Sequence, residues 1–239
     1  MNDPAPDISI VIPVYNEAAL VQPATEELCR ELAQEGLDYE LILAENGSKD
    51  ATPQIVDELA RANPRVRALH VGEPNYGKAL KQGILCARGT FVICDEIDLC
   101  DVDFYRRALP LLRRDEAEMV VGTKAGRGAH DARPLLRRAG TKVINGVLRL
   151  SLGFMGTDTH GLKAFRREAL VPVAQACVVE RDMFASEFVI RAGRMGRKVE
   201  EIPIVVHEKR KPTINLVRRV PNVLKNVARL VYVIRIKGS

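Results

Sequence analysis

The sequence predicts an α/β protein: a mostly parallel sheet flanked by helices, followed by a basic C-terminal helical segment. Three observations carry this. Apolar, β-branched runs alternate with amphipathic stretches through the first half, an order that implies parallel strands covered on both faces. The length of 239 residues suits one sizeable domain. Charge is segregated: from His207 to Ser239 nine cations face one acid, a net +8, which leaves −3 for residues 1–206.

In chain order, Ile8–Tyr15 reads as a buried strand, Glu17–Glu35 as a helix and Tyr39–Glu45 as a second strand. Asp50-Ala51-Thr52 can cap a helix to about Asn63. Val66–Gly72, Thr90–Ile97 and Met119–Lys124 read as strands, with helices over Lys78–Arg88 and Phe104–Arg114 between them. Leu135–Leu152 has the pattern of a basic amphipathic helix, and Thr157–Phe165 that of a strand or loop returning to the sheet. Asp182–Arg194 reads as helix and Val199–His207 as strand. Asn215–Ile236 reads as a basic, apolar helix or helix pair interrupted at Pro221. The organisation expected is a flexible 1–7, a catalytic domain over 8–210 and a basic helical segment over 211–239.

Composition excludes several classes. Without Trp and with 5% aromatic residues there is no aromatic platform for glycans or single-stranded nucleic acid. No recognised motif accompanies the basic tail, so nucleic acid is not an expected partner. The five cysteines show no zinc or CxxC spacing and fit a reducing cytoplasm. No signal peptide is visible at Met1–Asp7, and no apolar run approaches the roughly 18–20 residues of a bilayer span. In the tail, cations alternate with Leu216, Val217, Val220, Val223, Leu224, Val227, Leu230 and Val231. That suits an interfacial helix on anionic lipid, or one docked on its own core or on a partner.

In an open α/β sheet, ligands sit beyond the carboxyl ends of the strands. The segments there are Pro13-Val14-Tyr15-Asn16-Glu17, Glu45-Asn46-Gly47-Ser48 and Asp95-Glu96-Ile97-Asp98. Two carboxylates two residues apart at a strand end, Glu96 and Asp98, point the same way and suit a hard cation such as Mg²⁺ or Mn²⁺. Acid and amide side chains in the Glu45–Asp50 turn can read a base or ribose. Asn75-Tyr76-Gly77-Lys78 opens a helix whose N-terminus, with Lys78, suits either phosphate binding or plain capping.

These segments in this order resemble the signature of family 2 glycosyltransferases, which have the A-type glycosyltransferase fold. The resemblance implies that Pro13, Tyr15, Glu17 and Glu45 or Asn46 hold the nucleoside, and that Glu96 and Asp98 hold the metal. Asp158-Thr159-His160-Gly161-Leu162-Lys163, Phe188–Ala192, His207–Arg210 and Arg218–Pro221 are similar to the subgroup acting on polyprenyl or dolichyl phosphates. The likeness covers about residues 8 to 230. Two departures stand out: the acidic triplet begins with Glu96 where the family has Asp, and the turn carries Glu45-Asn46 where the family has Asp-Asp.

The activity implied is an inverting transfer of sugar from a UDP- or GDP-sugar to a lipid phosphate at the inner face of the cytoplasmic membrane. His160, Lys163, Lys209, Arg210 and Arg218 would contact acceptor or phosphate. Asp158 would act as base or orient a cation. Open alternatives are a hydroxyl acceptor and a non-catalytic nucleotide-sugar-binding role. A second copy of the chain or a membrane protein is the further partner considered.

Overall fold

The computed structural model describes residues 4–123, 146, 149–154, 156, 159, 161–180, 183–204 and 216–235. Among the described residues, seven strands form one sheet: β1 Ile8–Val14, β2 Tyr39–Glu45, β3 Val66–His70, β4 Phe91–Cys94, β5 Met119–Thr123, β6 Lys163–Arg166 and β7 Val199–Pro203. Their order is β3-β2-β1-β4-β6-β5-β7. All neighbours are parallel except β6, which runs antiparallel to β4 and β5. The sheet is thus mostly parallel, as the alternation of strand and helix requires.

The helices are α1 Val21–Gln34, α2 Thr52–Ala62, α3 Tyr76–Cys86, α4 Val102–Arg113, α5 Arg167–Ala176, α6 Phe184–Arg194 and α7 Leu216–Arg235. They cover both faces. Ile8, Ile10 and Ile12 of β1 pack with α1, α2 and α4 through Leu28, Val56, Phe104 and Leu109. Val11, on the other face, packs with α3, α5 and α6 through Ile84, Val173 and Phe188. Burial on both faces is why β1 and β2 are near-continuous apolar runs. Each fully buried Ile or Leu contributes about 1.5–3 kcal/mol.

Three expectations change. The fourth strand ends at Cys94 rather than Ile97, because the chain turns at Glu96, whose carbonyl accepts the Leu99 and Cys100 amides. Helix α5 was not anticipated: its buried Leu170, Val173 and Ala174 have helical spacing, but Pro172 sits among them. Pro221 does not interrupt the C-terminal helix, which runs unbroken from Leu216 to Arg235. An internal proline costs about 3 kcal/mol, and burial of Val227, Leu230, Val233 and Ile234 offsets it. Those side chains belong to the core, so this part of the apolar face is covered by the protein itself. Of the helix expected over Leu135–Leu152, residues 146 and 149–152 are described and helical; the rest lies outside the described residues.

The amino ends of the central strands are closed by one buried carboxylate. Glu40 in β2 accepts from the Ser9 hydroxyl at 2.6 Å, the Arg88 amide at 2.8 Å, Arg67 at 2.6 Å and the Arg88 guanidinium at 3.0 Å. Burial alone would raise its pKa, but the Ser9 hydroxyl, Arg67 and the Arg88 amide outweigh it and hold the carboxyl below its usual range. A depressed carboxyl adds stability that is present above its unfolded pKa and is lost as pH falls through the folded one. Glu40→Gln is therefore expected to cost about 1–3 kcal/mol in urea denaturation at neutral pH, and the gap from wild type should close below about pH 4.5.

Helix α3 meets the segment before α6 at Gly77, where a β-carbon would lie 1.5 Å from the Glu180 carbonyl oxygen. Gly77→Ala must push the two backbones apart. Its urea midpoint should fall by an amount equivalent to about 1–3 kcal/mol.

Candidate active site

Three loops leave the sheet at the carboxyl ends of β1, β2 and β4. Pro13 explains how β1 can feed this rim. The β4 ladder stops at Val11 opposite Cys94, and the last bond on that side runs from the Asp95 amide to the Val11 carbonyl at 3.1 Å. In a parallel strand alternate residues face alternate neighbours, so Pro13 faces the β4 side just past the end of β4. Its missing N–H has no acceptor to lose. Tyr15 follows, 40% exposed. Asn16 takes φ 53°, a left-handed conformation that Asn tolerates. Its side-chain oxygen accepts the Lys49 amide at 2.8 Å, and its own amide donates to the Ser48 hydroxyl at 2.9 Å. The Glu17 amide donates to the Thr52 hydroxyl at 2.8 Å. The loop after β1 is thereby sewn to the turn after β2.

Within that turn Glu45 and Asn46 are both buried, 3% and 5% exposed. One Glu45 oxygen accepts the Ser48 amide at 2.5 Å, and the other faces His70 Nδ1 at 3.4 Å. Burial opposes ionisation of Glu45, but the Ser48 and His70 contacts win and hold the carboxyl low. His70 is raised in turn, first by its 2.8 Å contact with Asp57 and then by Glu45. Both Glu45 oxygens thus have partners inside the protein. Asn46 donates its amide to Val14 O at 2.9 Å, and its side-chain oxygen accepts the Asn75 amide at 2.6 Å. Gly47 has φ 69°, and a β-carbon there would lie 2.8 Å from the Glu73 backbone, so the turn also presses on the loop before α3.

Asn75 caps α3 by accepting the Lys78 amide at 3.1 Å. Lys78 is ion-paired to Glu73 at 2.6 Å. Tyr76, between them, is half exposed. Its phenol is held well above its usual range by desolvation and then by the negative field of Glu96, Asp95 and Asp98. This brings the start of α3 beside the acidic segment.

Asp95 turns into the core. It accepts the Tyr105 hydroxyl at 2.5 Å, the Glu96 amide at 2.6 Å and the Asp101 amide at 3.0 Å. Burial pushes its carboxyl up to about 7 against the pull of these donors. Asp101 in turn caps α4 through the Phe104 amide at 2.9 Å. Glu96 and Asp98 are half-buried and belong to the turn, not to a strand end. The strand-end alternation expected for them therefore does not apply: the turn that Asp95 and the Glu96 carbonyl hold places them. No cluster of three or more metal-ligating side chains is present among the described residues. A pair of partly exposed carboxylates beside a helix N-terminus fits a hard cation that keeps positions open for phosphate oxygens.

On the second half of the chain, Lys163 is 2% exposed in β6, with its ammonium donating to Gly161 O at 2.7 Å. It lies in the sheet opposite Cys94 rather than on an open surface. Thr159, buried, pairs with Ser186 at 2.8 Å and so ties its segment to α6. Glu187 of α6 is fully buried; it accepts the Val178 and Val179 amides at 3.0 and 2.6 Å and pairs with Arg191 at 2.7 Å. Lys81 donates to Cys177 O at 2.6 Å, which straps the same segment over α3. Sequence reading missed Tyr76 and Glu187; the available signals were a tyrosine next to a capping Asn and an acid–base pair four residues apart in an otherwise apolar helix. Asp158, His160, Lys209 and Arg210 lie outside the described residues, and only the backbone of Arg218 is described.

This arrangement can be compared with known proteins. The family model for glycosyl transferase family 2 matches residues 9–172. The glycosyltransferase AglD of Haloferax volcanii is 29% identical over 221 residues, covering 89% of this chain and 35% of that protein. The undecaprenyl-phosphate 4-deoxy-4-formamido-L-arabinose transferase of Pseudomonas fluorescens is 34% identical over 212 residues, covering 84% of this chain and 58% of its own length. The chain thus spans only about a third to three fifths of these relatives. Among solved structures, glucosyl-3-phosphoglycerate synthase from Mycobacterium tuberculosis, in complex with Mn²⁺, UDP and phosphoglyceric acid, superposes with a TM-score of 0.64 at 18% identity, over 95% of this chain and 78% of that one. That likeness is one of fold. With the family model matching residues 9–172, more than half of its length, the chain belongs to glycosyl transferase family 2.

Proposed function

We propose that the chain transfers a sugar from a UDP- or GDP-sugar to a polyprenyl- or dolichyl-phosphate acceptor by one inverting displacement. The observation that carries this is the gathering of the β1 and β2 loops, the α3 N-terminus and the Glu96/Asp98 pair at one rim of the sheet. Similarity to a transferase named for undecaprenyl phosphate supports the acceptor class. In the step, an acceptor phosphate oxygen bonds to the anomeric carbon from the face opposite the nucleotide as the bond to the nucleoside diphosphate breaks. Such an oxygen is largely unprotonated near neutral pH, its second pKa being about 6, so positioning matters more than base catalysis. Mg²⁺ or Mn²⁺ on Glu96 and Asp98 would neutralise charge on the departing diphosphate. Lys78, now held by Glu73, would exchange that partner for a phosphate oxygen. Asp158 would orient the acceptor or its cations, with Lys209, Arg210 and Arg218 around the phosphate.

A soluble acceptor is the second reading, favoured by fold similarity to a phosphoglycerate glucosyltransferase. Partition of product decides between them. Labelled sugar should enter an organic-extractable product with polyprenyl phosphate and Mg²⁺ or Mn²⁺. Glu96→Ala and Asp98→Ala should each lower that rate about 100-fold or more, and chelation should abolish it. Label that stays water-soluble with a phosphorylated small acceptor would favour the second reading. Binding of nucleotide-sugar without any transfer would overturn both.

The membrane would meet the outer face of α7. Lys225, Ala228, Arg229, Tyr232 and Arg235 are exposed there, while the opposite side packs into the core. Helix α7 contains no acid, and no described helix is long and apolar enough to cross a membrane. At about 1 kcal/mol per well-placed cation, Lys225→Ala with Arg229→Ala should weaken sedimentation with anionic vesicles about 30-fold. Equal wild-type binding to neutral vesicles would contradict this orientation.

A further inference from the structure

We infer that the cavity between α6 and β7 is a second ligand site, which takes a monocarboxylate with an apolar body and holds its head on Arg197 and Arg194. The site goes beyond the sugar-transfer reading and lies apart from it. Strand β6 is antiparallel to both β4 and β5, and β7 is parallel to β5, so β7 runs in the direction of β4. Arg197 precedes β7 and therefore sits at the amino ends of these strands, the rim opposite Glu96 and Asp98. The cavity measures about 490 Å³, within the range of small-molecule sites. Phe154, Val189, Ile190 and Val199 supply an apolar wall. Arg194 and Arg197 line it on one side of Val199. Glu201 lines it on the other, on the same face of β7 and about 7 Å further along the strand. The cations and this carboxylate thus lie at different ends, with apolar surface between them.

The backbone of Arg197 is fixed between helix and sheet. Helix α6 stops at Gly196, φ 72°, with the Gly196 amide on Gly193 O at 3.1 Å and the Arg197 amide on Ala192 O at 3.0 Å, the paired bonds of a left-handed helix stop. The next carbonyl, Lys198 O, accepts the Glu118 amide at 2.8 Å. Arg197 Nη1 donates to one Glu118 oxygen at 3.0 Å, and the other Glu118 oxygen takes the Lys198 amide at 2.9 Å. Arg197 Nε is buried and has no partner, whereas buried donors are ordinarily paired. The side chain as a whole is 33% exposed, so it can be reached. With Nη1 committed, the Nε–Nη2 edge is left, and that edge presents two parallel N–H groups that match the two oxygens of a carboxylate. Arg194, three residues earlier, donates to Leu152 O at 3.3 Å and has no carboxylate partner among the described residues. Two guanidinium charges against the one Glu118 carboxylate leave this end positive. A second carboxylate on the ligand would meet the apolar wall and Glu201, so a ligand with a single charged head fits.

Titration calorimetry of the full chain, with each ligand below its micelle concentration, tests this. Octanoate should bind at least about tenfold more tightly than 1-octanol, which lacks the charge, than acetate or inorganic phosphate, which lack the body, and than suberate, which carries a second carboxylate. Its binding should persist with UDP or GDP and Mg²⁺ present. Arg197→Lys keeps a cation for Glu118 and removes the guanidinium edge. Gly193→Leu fills the cavity from α6, where a β-carbon meets nothing within 4 Å and leucine favours the helix over glycine. Each variant should bind octanoate at least about tenfold more weakly with its thermal transition retained. Wild type that binds no octanoate overturns the inference, and so does equal binding of octanol, acetate, inorganic phosphate or suberate. Displacement of octanoate by the nucleoside diphosphate places the carboxylate at the active site and overturns it too. Unchanged octanoate affinity in folded Arg197→Lys or Gly193→Leu protein overturns it without reference to the ligand series, and the ligand series decides on wild type alone.

Discussion

A parallel strand cannot stop without leaving backbone amides that need acceptors, and buried amides are almost never left unmatched. The central strands of this sheet all stop at one rim. Around them Glu45 accepts the Ser48 amide, Asn46 that of Asn75, Asn75 that of Lys78, Asp95 those of Glu96 and Asp101, and Asp101 that of Phe104. Each acceptor also pins a loop to a neighbouring element. The shape of the rim follows from this requirement, and so does the convergence of loops that are far apart in sequence.

The same requirement divides the polar side chains into two groups. Those that accept backbone amides shape the rim: Asp95, Asp101, Glu45 and Asn75. Glu96 and Asp98, the second group, sit half-buried in the turn just beyond Asp95. Asp95 and Glu96 are consecutive acids with opposite fates. Burial drives the first toward its neutral form, while the second stays at the surface of the turn. Helix α6 extends this logic to the other half of the chain, since Ser186 and Glu187 hold Thr159 and the 177–179 segment against the site from behind.

The opposite end of the sheet has a different character. Glu40 with Ser9, Arg67 and Arg88 forms a closed, fully partnered network, which stabilises the strand starts and offers nothing to a ligand. Helix α7 completes the core through Val227, Leu230 and Ile234 and leaves Lys225, Arg229 and Arg235 outside. A helix whose apolar face is consumed in this way has its charges, rather than an apolar stripe, on the outer side.

Most of the fold was legible in the sequence. Apolar β-branched runs determine the first five strands because both faces of a parallel sheet are buried, and the loops at their carboxyl ends could be named for the same reason. Tertiary structure decided what periodicity cannot carry. It ended β4 at Cys94, since the Asp95 carboxylate finds Tyr105 ten residues on. It kept α5 and α7 helical through Pro172 and Pro221, since packing against the sheet outweighs one lost hydrogen bond. It buried Lys163 in β6. Above all, it set the Asn46 side-chain oxygen against the Asn75 amide, which lies 29 residues away along the chain and 2.6 Å away in space.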